Sequence, residues 1–163
     1  MNWSTYSFDG VAGTLSVYGS VVSAQICQCE PIENNNEITK ILRGGITTLT
    51  EQGNPDNMRD YLAANKIVGR RSSGEDCVMA RYFNGLLREQ DLDVITGVSG
   101  LTVVAYNKKA HAHTSPIELP RTIGTLVSKF DHGEYPELDA EIQALLDAEQ
   151  RKTQLVKSQL VTA

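Results

Sequence analysis

Long apolar runs are missing from this sequence. No stretch approaches the roughly twenty consecutive apolar residues a membrane-spanning helix needs, so no segment reads as a membrane span. Cysteine is scarce: Cys27, Cys29 and Cys77 are the 3 in the chain. An odd, small number argues for free thiols rather than a disulfide framework. Met1-Asn2-Trp3-Ser4 carries neither the basic start nor the apolar run of a signal peptide, so the expected address is the cytoplasm. Basic charge is short too, with 15 Lys and Arg against 20 Asp and Glu and a formal net charge of −5. Sequence-independent nucleic-acid binding rests on clustered cations that neutralise phosphates, and this balance argues against a nucleic-acid partner. Internal repeats and low-complexity tracts are absent.

What is there suits an ordinary folded protein. The 163 residues are 40% hydrophobic and 21% charged, outside the range of disordered chains. That length fits one domain or two small ones and can bury roughly two-thirds of the unfolded surface without a staple.

Residues 3–30 read as strands. Tyr6-Ser7-Phe8 runs into the turn dipeptide Asp9-Gly10. Thr14 to Tyr18 then alternates polar and apolar, and Val21 to Cys29 forms a further candidate. After a polar loop at Asn34-Asn35-Asn36, Glu37 to Arg43 suits a short helix stopped by Gly44-Gly45. Asn54-Pro55-Asp56 marks a boundary and opens a helix to about Asn65, with Met58, Tyr61 and Leu62 on one face. A second helix should run from near Ser73–Asp76 to Arg88, burying Met79, Tyr82, Phe83 and Leu86. Asp93–Thr96 and Leu101–Tyr106 flank Gly97-Val98-Ser99-Gly100 as a hairpin. A loop with His111, His113 and Pro116 follows. Pro120 then opens a helix through Ile123, Leu126, Val127 and Phe130, ended by His132-Gly133. A last helix from Pro136 is acidic first and basic last, which suits the helix dipole. The fold class is therefore α+β: an N-terminal β-meander, an α-α-β-β-α module and a charged C-terminal helix. The expected divisions are 1–53, 54–138 and 139–163.

Residues 54 to about 138 resemble a group of small uncharacterised proteins of actinobacteria and their phages. The matching features are Asp60-Tyr61-Leu62, Val68-Gly69-Arg70, and Asp76-Cys77-Val78-Met79-Ala80-Arg81-Tyr82-Phe83. A second block runs through Glu118-Leu119-Pro120-Arg121 to Phe130-Asp131-His132-Gly133-Glu134-Tyr135-Pro136-Glu137-Leu138. The resemblance covers about half of the chain. It implies a compact α-α-β-β-α module and a phage or mobile-element origin, and it brings no activity with it.

Four residues could ligate a metal. Alternate residues of a strand share a face, so Cys27 with Cys29 and His111 with His113 could each present two ligands, a set suited to tetrahedral zinc. Structural zinc sites more often use Cys-x₂₋₄-Cys, and so loose a match is more often half-buried strand cysteines beside solvated loop histidines. No cofactor is expected, with zinc as the alternative. His113-Thr114-Ser115 matches the His-x-Ser/Thr element of two-histidine phosphoesterases, but the second copy they need is missing. Cys77 lies at a helix start, where backbone N–H groups favour a thiolate. Glu75 and Asp76 oppose that, and a small buried residue is the better reading.

Lys66, Arg70, Arg71, Arg81 and Arg88 could together form one basic face, a candidate site for an anionic ligand. A helix-turn-helix is disfavoured by the joint of about eight residues between the two helices, and a solvated face of surface ion pairs is the plainer alternative. The glycine pairs at Gly10/Gly13 and Gly97/Gly100 lack the Lys-Ser/Thr of a phosphate loop. Binding rather than catalysis is the expected function: a small accessory protein, phage-encoded, that captures a host protein or a small nucleotide-like anion. The alternatives are a zinc protein or enzyme, and a virion or assembly protein that forms a homo-oligomer through its last helix.

Overall fold

The structure, a computed structural model, describes residues 4–8, 11–15, 32, 34–109 and 112–161. Strands β1 (Ser4–Phe8) and β2 (Val11–Leu15) pair antiparallel with Phe8 opposite Val11, so two residues, Asp9 and Gly10, separate the paired ends. The strand expected from Val21 to Cys29 lies outside the described residues.

Helix α1 (Asn35–Thr50) corrects the sequence reading, which stops at Gly44-Gly45. It runs through both glycines. A Cβ on Gly45 would stand 2.5 Å from Leu86 Cδ1 and 3.3 Å from both Phe83 and Tyr82. The Tyr82 hydroxyl also donates to the Gly45 carbonyl at 3.2 Å. Gly45 thus lets helix α3 (Val78–Arg88) approach, which offsets its intrinsic helix penalty of about 1 kcal/mol. Helix α2 (Pro55–Ala64) begins as its sequence implies: Asn54 Oδ1 accepts the Asn57 N–H at 2.9 Å, with Pro55 in the first turn. Helix α3 starts later than expected. Its N-cap is Cys77, whose sulfur accepts the Ala80 N–H at 3.4 Å, and the preceding residues form a turn in which Ser73 Oγ accepts the Asp76 N–H.

Strands β3 (Ile95–Ser99) and β4 (Thr102–Asn107) form the expected hairpin with a tighter turn. Ser99 faces Thr102, so Gly100-Leu101 is the whole loop and Gly97 and Val98 belong to the strand. Gly100 has φ 58, which suits the first central residue of a two-residue hairpin loop. The segment expected as a loop instead supplies β5 (Ala112–His113) and β6 (Ile117–Glu118), both paired with β4. Tyr106 faces His113 and Val103 faces Ile117, so this side carries one residue more than β4, a bulge at Ser115-Pro116. Thr114 bridges it by donating its N–H to the Ala105 carbonyl and accepting the Ala105 N–H on Oγ1.

Helix α4 (Arg121–Asp131) follows Pro120 and buries Ile123, Leu126 and Phe130. The helix expected to begin at Pro136 is a 3₁₀ turn, Pro136–Leu138, followed by α5 (Ala140–Val161). Asp139 separates them, and its Oδ1 accepts the Glu141 N–H at 2.9 Å.

One buried cluster joins Ile38, Leu42 and Leu49 of α1 to Met58, Phe83 and Phe130, and to Val98, Val103 and Ala105 of the sheet. Helix α1 therefore packs into the core of the module although it precedes the expected division after residue 53. Asp56 of α2 ties the far side together. It accepts the Tyr135 hydroxyl at 2.8 Å and Lys129 Nζ at 3.3 Å, and these two bonds hold its carboxyl below the usual range. Arg59 and Lys129 both lie over the Tyr135 ring, at 5.4 and 5.5 Å from its centroid.

Candidate functional site: a groove between α3 and β3

β3 is one edge strand of the sheet, and α3 runs beside it. Pairing with β4 turns the backbone groups of Thr96 and Val98 outward. The Thr96 N–H donates to Asn84 Oδ1 at 2.7 Å and the Val98 N–H donates to the Gly74 carbonyl at 2.8 Å. These two bonds hold α3 and the 73–76 turn at fixed distances from the strand. Between them lies a groove of about 720 Å³, lined by Ser73, Gly74, Glu75, Asp76, Arg81, Asn84, Gly85, Arg88, Val94 and Ile95.

The groove draws a regular face of α3: Arg81, Asn84, Gly85 and Arg88 recur at i, i+3, i+4 and i+7. The one proton of the Thr96 hydroxyl has two acceptors in reach, Asn84 Oδ1 at 2.9 Å and the Ala80 carbonyl at 3.1 Å. With the Thr96 N–H fixing the amide oxygen, the Asn84 NH₂ is the free end, and it has no partner among the described residues. The rim carboxylates are occupied. Glu75 pairs with Lys108 at 2.8 Å, which holds its carboxyl below the usual range, and Asp76 pairs with Arg81 at 2.6 Å. Arg88 is exposed and has no ion-pair partner among the described residues.

The five cations read as one face from the sequence occupy different places. Arg81 and Arg88 line the groove. Arg70 reaches the outer side of Asp76 at 3.9 Å and is largely solvated. Lys66 is exposed in a left-handed turn after α2, with φ 57. Arg71 turns to Asp139, with Nε 2.6 Å from Oδ2, and its guanidinium lies across Gly133, where a Cβ would come 2.8 Å from it. Asn84, Gly85, Gly74 and Ser73 complete the groove and carried no signal in isolation. The i+3, i+4 spacing between Arg81 and Arg88 was the available hint for the first two.

Of the four metal-ligand candidates, Cys27, Cys29 and His111 lie outside the described residues. His113 is half-buried on β5, and its Nδ1 donates to the Thr114 carbonyl at 2.9 Å. Among the described residues no group of 3 or more His, Cys, Asp and Glu side chains is arranged to hold a metal. Cys77 is buried, and burial pushes its thiol above the usual range, so it sits in the core as a neutral cap. Among the described residues no helix is long and apolar enough to cross a membrane. Compared with known proteins, the chain matches no family model, no curated protein and no solved structure.

Proposed function

We propose that this protein is a small accessory binding protein that captures a small, nucleotide-like anion in the groove between α3 and β3. Arg88 and Arg81 are its anion contacts, and the Asn84 amide is a neutral donor on the floor. The observation that carries this reading is Gly85. A glycine inside a helix costs about 1 kcal/mol relative to alanine, and nothing lies within 4 Å of where its Cβ would be. Packing does not require it, and a Cβ there would project into the groove. The volume falls in the range of small-molecule sites, and the mixed charge of the rim suits a ligand with an anionic end and a hydrogen-bonding end. Nothing in this set forms a nucleophile–base pair, which favours capture over catalysis. The phage-like resemblance and a cytoplasmic setting agree with such a role.

Native mass spectrometry of protein purified without chelator, followed by calorimetry with mono- and dinucleotides, tests the reading. Arg88→Ala should weaken binding by at least about tenfold, the loss expected for one charge-assisted contact. Gly85→Ala should raise stability by about 0.5–1 kcal/mol while weakening the same ligand. Opposite signs on stability and affinity are what a groove held open for a ligand requires. Binding indifferent to both changes, or no small-molecule binding at all, would overturn the reading. A mass excess of one zinc, lost in Cys27→Ser, would move the site to Cys27, Cys29, His111 and His113.

A further inference from the structure

On the groove face of α3, Asn84 and Gly85 lie between Arg81 and Arg88, and each suits a different part of a ligand. Gly85 is exposed and leaves a patch of bare helix backbone, with nothing within 4 Å of its Cβ position. Val94 and Ile95, both half-buried, line the same groove from the strand side. Bare backbone on one side and aliphatic residues on the other suit a flat ring, which presents two broad faces and confines its polar atoms to its edge. A sugar in the same place would bring hydroxyls to walls with few partners for them, and an unmet hydroxyl is costly to bury.

The edge of such a ring meets Asn84. The Thr96 N–H takes the amide oxygen at 2.7 Å, so the NH₂ is the end left for a ligand, a donor without a partner among the described residues. A ligand atom that satisfies it is an acceptor, either a ring nitrogen or a carbonyl oxygen. Arg88 stands about 6 Å further along the helix axis and has no ion-pair partner among the described residues. Arg81 is already held by Asp76 at 2.6 Å. The stronger pull on an anion is therefore at the Arg88 end, with room for one sugar between it and the ring.

We propose that Asn84 and Gly85 are the base-recognition residues of the groove: a nucleobase lies flat over Gly85, turns an acceptor to the Asn84 amide, and leaves its phosphate to Arg88. This rests on the reading of the groove as a site for a nucleotide-like anion, and it names what separates a nucleotide from any other phosphate there. Gly85 then sets specificity, because a methyl group at that position takes the space of the ring and not that of the phosphate.

Calorimetry with a panel of ribonucleoside monophosphates, and with ribose phosphate as the ligand that lacks a base, separates the two contributions. The best nucleotide should bind at least about tenfold tighter than ribose phosphate. Gly85→Ala should shrink that ratio to within about threefold, whereas Arg88→Ala should weaken both ligands by the same factor and keep the ratio. Asn84→Asp keeps an acceptor for the Thr96 N–H, so the far-UV circular dichroism spectrum should hold. It removes the donor and should cost the nucleotide at least about tenfold, more than it costs ribose phosphate. Equal binding of nucleotide and ribose phosphate, or a ratio untouched by Gly85→Ala, would overturn the base slot and leave the groove an anion site. Binding of neither ligand would overturn the slot together with the reading it rests on.

Discussion

Replacing Gly69 by alanine should lower stability by about 3–4 kcal/mol, a large loss for one added methyl group. The Cβ would stand 2.2 Å from the Val78 nitrogen and 2.5 Å from the Cys77 carbonyl carbon, both main-chain atoms at the start of α3. Main chain cannot swing aside as a side-chain tip can. Moving the segment at Gly69 outward would break two bonds that stitch it to the segment around Asp139: the Gly69 N–H to the Leu138 carbonyl at 2.9 Å, and the Ala140 N–H to the Gly69 carbonyl at 2.9 Å. Thermal denaturation should show a fall of about 10 °C for a chain of this size. Gly44→Ala is the matched control, since nothing lies within 4 Å of that Cβ and the position is an exposed helix interior. That change should raise stability by about 0.5–1 kcal/mol, as the same substitution should at Gly85. A loss below about 1 kcal/mol at Gly69 would mean the turn can reseat itself and that α3 is not held by this contact.

The second large effect is expected at Asp139, whose side chain is 4% exposed. It pairs with Arg71 and caps α5 through the Glu141 N–H. Asp139→Ala removes the cap, worth about 1 kcal/mol, and a charge-assisted bond worth about 1.5–3 kcal/mol when sheltered. Arg71 is partly solvated and can rehydrate once released, so the expected sum is about 2–3 kcal/mol. Asp139→Asn keeps an acceptor for the cap and loses only the charge, and should recover about half. Urea denaturation of the two variants measures the split. Equal losses would show that the cap contributes nothing and the ion pair everything.

These sites also mark where the sequence was legible. Helices α2 and α4 could be read because their punctuation is local: Asn54 and Pro55 at one start, Pro120 at the other, and apolar residues at helical spacing between. The α+β class followed from those helices and the hairpin. Gly44-Gly45 misled because its reason lies elsewhere in the chain, on the Tyr82–Leu86 face of α3. The hairpin was placed correctly but its turn was set too early, since Gly97 and Gly100 look alike until strand pairing chooses between them. The site was half legible. Arg81 and Arg88 could be placed on one helical face, but Arg71 could not be separated from them without knowing that Asp139, far along the chain, comes to meet it. Asn84 and Gly85 gained meaning only from the approach of β3.

The closed borders of the sheet limit how this protein can associate. On the β3 side, Asn84 and Gly74 already take the outward N–H groups of Thr96 and Val98. On the other side, β5 and β6 are two residues each, interrupted by a bulge that contains Pro116. Short, bulged, proline-bearing borders are poor templates for an incoming strand. The sheet of β3 to β6 is therefore guarded against strand exchange and fibril-type stacking along its described borders, and a lasting contact with another chain at this sheet has to be made through side chains.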